Sequence, residues 1–456
     1  MDLTHKKVLV VGLGKTGEAL AEFLLNRGAR VKISENKRAE ELGVNTVPWE
    51  ERGVELETGG HRLPSFLEAE LIVLSPGVPP FIPELGAAKA QGIRIVSEME
   101  LAFWYLKGTI VGITGSNGKS TTATLAHKIL KEGGFKAFLA GNIGTPLISF
   151  VEKSRNDHVY VTEISSFQLH DIERFRAAIS VFLNISLNHL DWHGSFGDYY
   201  AAKKKLFTAQ APSDIAILNR DDRLVWSLKK ETRSQVYAFS RKTRVSKGCC
   251  LENGWLVLRG AKDEKLIKAA EIPLAGVHNQ ENAMAAALIG HSFGISAAKM
   301  QRAVKGFRGL EHRLEKVLSL KGVDFINDSK ATTVDATIKA LDSFSRKTIL
   351  IIGGRDKGDD FTRLRRPVKQ KVCQIILIGE AKDIIKKALE GVAPMALASS
   401  MKEAVSLAFE AASFRSVVLL APACASFDMF KNYEDRGLVF KKEVRALARK
   451  YRKDRP

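Results

Sequence analysis

The segment GITGSNGKST at residues 112–121 constrains this chain more than any other, because it lies between an apolar strand pattern and a helical pattern. Glycines in such a turn let backbone N–H groups curl round phosphate oxygens at the N-terminus of a helix. Lys119 would reach the terminal phosphates, and the hydroxyl of Ser120 or Thr121 would ligate Mg²⁺. The spacing is one residue longer than in the strict phosphate-loop pattern. We therefore interpret the segment as a variant phosphate loop and not as an ordinary glycine turn.

A second glycine turn, GLGKTG at residues 12–17, follows the apolar segment Lys7–Val11 and opens the predicted helix Glu18–Asn26. Glu35 ends the next predicted strand, where an acid that binds a ribose would lie. This context predicts a site for a nucleotide diphosphate, and the alternative is a tight turn without a ligand. A dehydrogenase would use the same turn for a dinucleotide, but that interpretation leaves the phosphate loop unexplained.

The whole chain alternates short apolar strands with helical patterns, which is typical of parallel sheets covered by helices on both faces. Its 456 residues are enough for about three domains. We predict an α/β protein of three domains, residues 1–104, 105–308 and 309–456, each a mostly parallel sheet flanked by helices. The first and third are predicted to be Rossmann-like and the second to resemble a P-loop ATPase. The strands that carry this prediction are Lys7–Val11, Leu71–Leu74, Thr109–Ile113, His158–Thr162, Ala178–Asn184, Thr348–Ile352, Gln374–Ile378 and Ser416–Ala421.

The net charge of the chain limits the classes of binding partner but does not identify one. There are 70 Lys and Arg against 51 Asp and Glu, a net charge of +19, which suits either polyanion binding or a basic solvated surface. The basic C-terminal segment at residues 441–456 carries no recognisable nucleic-acid-binding motif, so we predict no nucleic-acid partner. An ATPase associated with nucleic acid stays as the alternative from another class, and its turnover would be stimulated by DNA or RNA with a steep salt dependence.

The cysteine pattern indicates a reducing compartment, and the hydropathy of the chain indicates that it has no membrane-spanning helix. The four cysteines form no CxxC pair, and no apolar run reaches the roughly 18 residues that a membrane-spanning helix needs. We therefore expect free thiols, no zinc site, no membrane span and a cytoplasmic location.

Polar residues cluster downstream of the phosphate loop at predicted strand ends. Glu163 follows the strand His158–Thr162, where a second Mg²⁺ ligand would lie, and His189 and Asp191 follow a later strand. Lys203 lies in a helical pattern that is typical of a solvated lysine. Taken alone, these residues are explained as well by helix capping or surface exposure, but the phosphate loop upstream favours a role in Mg²⁺ binding.

As a set, eight segments resemble the ATP-dependent Mur ligases of peptidoglycan synthesis. The resemblance covers nearly the whole chain and implies an ATP-dependent amide-forming ligase that acts through an acyl phosphate. Within the family, SPG, INDSKATT, GGRDKGDDF and LLAPACASFDMFKNYEDRG are most similar to the member that adds D-glutamate to UDP-N-acetylmuramoyl-L-alanine. Another Mur ligase or a polyglutamylating ligase is the alternative, which the amino-acid acceptor would distinguish. The eight segments are GITGSNGKST, EISSFQL, NISLNHLDWHG, AAKKKLF, NRDD, GVHNQENAMAA, FRGLEHRLE and INDSKATT.

The resemblance also implies which residues bind each substrate. In this family the first domain holds the uridine diphosphate, the central domain holds ATP and the third holds the amino acid. The implied UDP-substrate positions are Lys15, Thr16, Glu35, Asn36, Ser75, Asn142 and His189. The implied ATP positions are Gly115, Ser116, Asn117, Gly118, Lys119, Ser120, Thr121, Asn279, Asn282, Arg313 and Asp328. The implied D-glutamate positions are Lys330, Thr332, Lys357, Ser426 and Tyr433.

The same resemblance implies a catalytic set of Lys119, His189 and Lys203, with two Mg²⁺ ions held by Ser120, Glu163, His189 and Lys203. Lys203 matches a lysine that CO₂ carbamylates in the family, which would turn a cation into an anion able to ligate Mg²⁺. We predict that Mg²⁺ and Lys119 neutralise the triphosphate while the substrate carboxylate attacks the γ-phosphorus. His189 is the predicted base for the incoming amine, and the protein is predicted to act as a monomer.

Overall fold

Two compact units, Met1–Phe307 and Arg308–Pro456, make up the computed structural model of the chain. The first unit contains two β-sheets and the second unit contains one. The structure describes residues 1–42, 45–186, 190–274, 276–356 and 358–453.

The first sheet is parallel throughout. Its strands are β1 (Lys7–Val11), β2 (Arg30–Glu35), β3 (Glu55–Thr58), β4 (Leu71–Leu74) and β5 (Arg94–Ser97). They lie in the order β3-β2-β1-β4-β5, and because the order reverses between β1 and β4, a crevice for a ligand opens at the carboxyl ends of these two strands. The helices around this sheet are α1 (Lys15–Asn26), a 3₁₀ helix (Ala39–Glu41), α2 (Val47–Glu50), α3 (Leu63–Leu67), α4 (Pro83–Ala90) and α5 (Glu98–Tyr105).

The second sheet has nine strands and is parallel except for an antiparallel extension at one edge. Its strands are β6 (Thr109–Thr114), β7 (Lys136–Gly141), β8 (His158–Glu163), β9 (Ile179–Phe182), β10 (Ile215–Asn219), β11 (Gln235–Ser240), β12 (Gly248–Glu252), β13 (Trp255–Arg259) and β14 (Glu264–Lys268). Their order is β14-β13-β12-β11-β10-β9-β6-β8-β7, and the pairs β12–β13 and β13–β14 are antiparallel. The helices here are α6 (Lys119–Gly133), α7 (Leu190–His193), α8 (Phe196–Thr208), α9 (Arg223–Ser227), α10 (Val277–Ser292) and α11 (Ala297–Lys305), with 3₁₀ helices at Leu147–Lys153, Leu228–Lys230 and Ala269–Glu271.

The sheet of the second unit has six strands in the order β15-β16-β20-β17-β18-β19, and only the β15–β16 pair is antiparallel. Its strands are β15 (Glu315–Leu320), β16 (Val323–Asn327), β17 (Thr348–Gly353), β18 (Val372–Ile378), β19 (Met395–Leu397) and β20 (Val417–Leu420). The helices of this unit are α12 (Val334–Asp342), a 3₁₀ helix (Phe361–Leu364), α13 (Arg365–Lys371), α14 (Lys382–Ala388), α15 (Met401–Glu410) and α16 (Tyr433–Lys453).

The central strands explain why the sheets are parallel and covered on both faces. β4, β17 and β20 read LIVL, TILIIG and VVLL, and every residue in them is buried. Such continuous apolar runs leave no polar face for solvent, so helices must pack on both sides of the sheet. Parallel strands also place the following loops at one edge, and this edge carries the candidate site.

The predicted fold class, α/β with mostly parallel sheets flanked by helices, is confirmed. Each of the eight strands named from the sequence overlaps a strand of the structure, although Ala178–Asn184 shortens to Ile179–Phe182. The antiparallel extension β12–β14 was not among the predicted strands. Within the described residues, no helix is long and apolar enough to cross a membrane.

Candidate active site

The phosphate loop joins β6 to α6, and its last glycine is required by geometry. Gly118 has φ of +84°, and a Cβ on it would lie 2.3 Å from Asn282 Oδ1 of α10. A side chain at residue 118 would therefore be strained and would also clash with α10. Asn282 in turn donates to Asn279 Oδ1 at 3.1 Å. The two asparagines predicted on the adenine side thus lie behind the phosphate loop.

Polar groups from two other segments hold the phosphate loop in place. Asn184, which follows β9, accepts the N–H of Asn117 at 2.9 Å and donates to its carbonyl at 3.2 Å. Ser116 Oγ lies 3.0 Å from the Tyr199 hydroxyl and accepts the Ser186 N–H at 2.9 Å. The loop is therefore preorganised by side chains that lie from 67 to 83 residues further along the chain.

Lys119 is the first residue of α6 and folds back over the loop. Its Nζ donates to the carbonyls of Gly115 at 2.9 Å and of Ser116 at 3.1 Å. Ser120 and Thr121 occupy the next positions of the first turn, with Ser120 buried. The lysine ammonium and the N-terminus of α6 both favour anionic oxygens at this point.

Lys203 of α8 is buried beneath the phosphate loop, with 1% of its surface exposed. Its Nζ donates to Gly115 O at 3.1 Å and to Thr114 Oγ1 at 3.3 Å. Burial, and next the positive charge of Lys119, hold the pKa of Lys203 well below its usual value, while Glu163 partly opposes them. The expectation of a solvated lysine was wrong, because α8 packs this face against the loop.

Glu163 ends β8, and only one of the two oxygens of its buried carboxylate has a hydrogen-bond partner among the described residues. Its Oε1 accepts from Asn142 Nδ2 at 2.9 Å, whereas the buried Oε2 has no hydrogen-bond partner among the described residues. A buried carboxylate oxygen without a donor is costly, and it suits a hard cation such as Mg²⁺. The described residues contain no cluster of three His, Cys, Asp or Glu, so phosphate oxygens would have to complete such a site.

In the first glycine turn, the start of the helix packs directly against the end of the strand. A Cβ on Gly17 would lie 2.2 Å from Gly12 O, so the helix start and the strand end touch at backbone level. Ser75 Oγ donates to the same carbonyl at 2.8 Å, which ties the turn to the SPG segment after β4. By contrast, a Cβ on Gly14 would meet nothing within 4 Å. Gly14 therefore faces open space at the N-terminus of α1.

The predicted ribose acid lies beside the first turn. Glu35 Oε2 accepts the Leu13 N–H at 2.7 Å, and its Oε1 accepts the Lys37 N–H at 3.0 Å. Asn36 between them is exposed at the end of β2. The carboxylate thus braces the turn through backbone groups and keeps a free lone pair on each oxygen for a ligand hydroxyl.

Lys15 and Thr16 start α1, and Thr16 is half-buried there. Lys15 Nζ donates to Gly144 O at 2.7 Å in the loop after β7. That loop also carries Asn142, which contacts Glu163. The loop after β7 therefore contacts both Lys15 of the first glycine turn and Glu163 at the end of β8.

In the second unit, the predicted amino-acid-binding residues follow the carboxyl ends of adjacent parallel strands. Lys330 and Thr332 follow β16, Ser426 follows β20, and Tyr433 is the first residue of α16. The Lys330 ammonium lies 5.6 Å from the centre of the Tyr433 ring. Burial raises the pKa of Tyr433 to about 12, so its hydroxyl stays neutral.

Asp328 lies directly after β16, and Arg313 precedes β15. Asp328 Oδ1 accepts the Leu314 N–H at 3.1 Å. Burial raises the pKa of Asp328 to about 6, although that N–H and the charge of Arg313 act in the opposite direction. His189 and Lys357, two further predicted site residues, lie outside the described residues.

Arg436 is a residue of this region that sequence reasoning missed. It is 1% exposed and donates to Ser329 O, Cys424 O and Ala425 O at 2.9 to 3.1 Å. Burial lowers its pKa to about 10, so it stays charged. It ties the segment before Lys330 to the segment before Ser426. It lies in the segment LLAPACASFDMFKNYEDRG that carries the family resemblance, and this was the available signal.

Family models match three consecutive parts of the chain. The model of the Mur ligase MurD-like N-terminal domain matches residues 6–97, that of the Mur ligase middle domain residues 113–290, and that of the Mur ligase glutamate ligase domain residues 312–424. Together they contain the first glycine turn, residues 113–121 of the second, Glu163, Lys203 and the loop after β16, whereas Ser426 and Tyr433 lie beyond residue 424.

Curated relatives and solved structures agree with these matches. The UDP-N-acetylmuramoylalanine--D-glutamate ligase of Acidobacterium capsulatum is 46% identical over 98% of this chain and 97% of its own, and that of Koribacter versatilis 44% over 99% and 100%. The fold is also that of the UDP-N-acetylmuramate-alanine ligase of Thermotoga maritima, with a TM-score of 0.56 at 17% identity over 97% of this chain and 100% of that one. The MurF ligase of the same organism, solved in complex with ADP, gives 0.52 at 16% over 98% and 97%. The chain therefore belongs to the Mur ligase family.

Proposed function

We propose that this protein is the ATP-dependent ligase that adds D-glutamate to UDP-N-acetylmuramoyl-L-alanine in peptidoglycan precursor synthesis. The observation that carries the proposal is the phosphate loop with Lys203 buried beneath it and Glu163 beside it. The choice of substrates is supported by relatives that are 40–46% identical over almost the whole chain and carry this name.

The proposed reaction has two steps. An oxygen of the substrate carboxylate attacks the γ-phosphorus of ATP, the bond between that phosphorus and the β–γ bridging oxygen breaks, and ADP leaves. The amine of D-glutamate then attacks the acyl carbon, loses a proton and expels inorganic phosphate. Lys119, at the start of α6, stabilises the charge that develops on the phosphate oxygens, because its ammonium already lies against the loop. His189 is proposed as the acceptor of the amine proton.

Mg²⁺ would be held by the Ser120 hydroxyl, the free Oε2 of Glu163, His189 and a modified Lys203. When bound, it would neutralise phosphate charge and polarise the γ-phosphoryl group. Glu163 supports this assignment because its buried oxygen has no protein donor among the described residues.

We also propose that CO₂ carbamylates Lys203. The neutral lysine nitrogen attacks the carbon of CO₂ and forms one N–C bond, while one C=O π bond breaks and its electron pair moves to the oxygen. The nitrogen then releases one proton. The pKa of Lys203 is lowered by burial and then by Lys119, which favours that form. The product is an anion, and it would remove the like-charge repulsion between the two lysines.

The remaining assignments follow the family pattern. Lys330, Thr332, Lys357, Ser426 and Tyr433 would bind D-glutamate, since two ammonium groups and two hydroxyls suit a substrate with two carboxylates. Domain limits of 1–104, 105–308 and 309–456, a monomeric state, a cytoplasmic location and no nucleic-acid partner complete the proposal. The ATP contacts of Arg313 and Asp328 and the UDP contacts of Lys15, Thr16, Glu35, Asn36 and Ser75 stay predictions.

An amino-acid panel tests the function directly. ADP release should require both UDP-N-acetylmuramoyl-L-alanine and D-glutamate, and it should produce one amide for each ADP. Equal release with L-lysine or meso-diaminopimelate would contradict the acceptor. Turnover that needs DNA or RNA and no amino acid would contradict the ligase assignment altogether.

A further inference from the structure

Helix α5 carries two acidic residues that are completely enclosed. Glu98 is 1% exposed and Glu100 is 0% exposed, although the helix has only eight residues and links the first sheet to the second. Burial of an ionised carboxylate is costly unless several donors surround it. The donors in this case come from the loops of the second sheet.

Glu100 is saturated by four N–H groups. Its oxygens accept the backbone N–H of Glu173 at 2.9 Å, of Arg174 at 2.9 Å and of Phe175 at 2.8 Å. The indole N–H of Trp104, one turn later in α5, donates at 2.7 Å. Three consecutive backbone donors on one carboxylate fix the direction of the segment that provides them.

Glu98 fixes a second segment from the same helix. Its Oε1 accepts the Ile148 N–H at 2.7 Å at the start of the 3₁₀ helix Leu147–Lys153. Burial raises the pKa of Glu98 to about 7, against two backbone N–H groups that lower it. Ser97, the N-cap of α5, adds a backbone bond from its N–H to Asp171 O at 3.0 Å.

The two segments that Glu98 and Glu100 hold lie at the ends of loops that carry candidate site residues. The segment at Ile148 ends the loop after β7, which contains Asn142 and the Gly144 carbonyl that Lys15 contacts. The segment at residues 171–175 ends the loop after β8, which begins directly after Glu163. Glu98 and Glu100 therefore set where the first sheet lies relative to the phosphate loop.

We propose that Glu98 and Glu100 are positioning residues of the ligase, which hold the UDP-binding sheet so that the substrate carboxylate meets the γ-phosphate. The inference deepens the proposed function and rests on it for its kinetic part. A displacement of about 1 Å between reacting groups costs on the order of 100-fold in rate. The contacts of Glu98 and Glu100 form a clamp between the first sheet and the loops of the second sheet, and this clamp therefore affects the rate of the chemical step.

The chain offers an exposed pair that serves as a control. Glu152 of the same 3₁₀ helix contacts Arg27 of α1 at 3.0 Å, and its side chain is 48% exposed. This pair also joins the two sheets, but its charges are screened by solvent. Glu152→Gln thus removes one link between the sheets and leaves the buried ones intact.

The test compares Glu100→Gln with Glu152→Gln in the full chain. Gln keeps the shape but presents an NH₂ group to N–H donors, whichever way it turns. We expect Glu100→Gln to lower kcat at least about tenfold while KM for ATP and D-glutamate stays within twofold, and Glu152→Gln to match the wild type. Hydrogen exchange at the amides of residues 173–175 should accelerate only in Glu100→Gln.

Three outcomes would overturn the proposal: a Glu100→Gln kcat within twofold of wild type, a rise in KM for ATP that accompanies the fall in kcat, or unchanged exchange at residues 173–175. If Glu100→Gln does not fold, Glu98→Gln is measured by the same criteria, with exchange followed at Ile148. The exchange measurement needs no substrate. A wild-type protein that released no ADP would therefore contradict the proposed function, while the exchange result would still decide whether the clamp exists.

Discussion

The two glycine turns of the first unit have the same local architecture and opposite electrostatics. Each follows a buried parallel strand and starts a helix, β1 to α1 and β6 to α6. In the first turn an acid, Glu35, accepts the backbone N–H of Leu13 in the turn and that of Lys37, two residues after the acid itself. In the second turn two lysines, Lys119 and Lys203, donate to backbone carbonyls of the loop.

This difference teaches what each turn is built to bind. An acid beside a turn can accept hydrogen bonds from the hydroxyls of a sugar, and it leaves the helix N-terminus to attract the diphosphate. Burial, and next the positive charge of Lys119, disfavour a charged ammonium on Lys203 in the second turn. The first turn is held by its own acid without a ligand, whereas the second carries an electrostatic cost that carbamylation of Lys203 would remove.

The largest effect expected from this comparison is that of Lys119→Ala. Loss of the ammonium removes the charge that stabilises the γ-phosphate in the transition state, so ADP release should fall about 100- to 1,000-fold. The measurement is steady-state ADP release with all three substrates. Lys131→Ala, at the exposed last turn of α6, is the matched control and should retain wild-type activity. Activity of Lys119→Ala near that of the control would contradict the role given to the second turn.

The second prediction concerns the stability cost at Lys203. Because the folded state lowers its pKa, the unmodified protein loses stability at every pH below the usual lysine value of 10.5, and the loss shrinks as pH rises from the lowered pKa to that value. Lys203→Met should therefore raise the melting temperature of the CO₂-depleted protein at neutral pH by several degrees, which corresponds to about 1–2 kcal/mol of stability.

Melting curves in CO₂-depleted buffer between pH 7 and 10 test this prediction. The gain of Lys203→Met over wild type should diminish toward pH 10. Lys204→Met, whose ammonium pairs with Glu231 at the surface, is the control and should change little. A gain that grows with pH, or no gain at neutral pH, would show that burial does not depress this pKa.

The sequence predicts the two turns well because their signals are local. An apolar run, glycines at fixed spacing and a following helical pattern all lie within about 20 residues, and backbone sterics leave few other structures for them. Lys203 and Glu100 were beyond such reasoning. AAKKKLF looks like a solvated helical face, and EMELAFWY alone does not show that its second glutamate is buried, because the groups that contact these two charges lie 73 to 89 residues away in sequence.

The antiparallel edge of the second sheet shows a related limit. β12 and β13 read GCCLE and WLVLR, and although WLVL is an apolar run, the antiparallel pairing that joins the two strands depends on the partner strand. The two glycine turns and Glu163 could be assigned to the candidate site from the residues alone, whereas the amino-acid-binding residues were named only through the family resemblance. Arg436 belongs to no motif for phosphate or metal, so only its contacts with three carbonyls explain its burial.

The third prediction separates packing from binding within the first turn. Gly17→Ala places a Cβ 2.2 Å from Gly12 O, and the overpacking should outweigh the gain of about 1 kcal/mol that alanine normally brings to a helix. We expect a net loss of about 2 kcal/mol in the free energy of unfolding by urea. Gly14→Ala meets nothing within 4 Å, so its stability should stay within about 0.5 kcal/mol while KM for the UDP substrate rises. Equal stabilities of the two variants would contradict the close approach.

The smallest effect is expected for Glu35→Gln. The amide can still accept one of the two N–H groups from Leu13 and Lys37, but it must turn its NH₂ group toward the other. The turn should loosen slightly and lose a charge-assisted contact to the sugar, which raises KM for the UDP substrate about tenfold and leaves KM for ATP unchanged. Glu55→Gln on β3, which breaks only an exposed pair with Lys32, is the control. A parallel rise in KM for ATP would mean that the acid of the first turn also supports the second, and the contrast between the two turns would then fail.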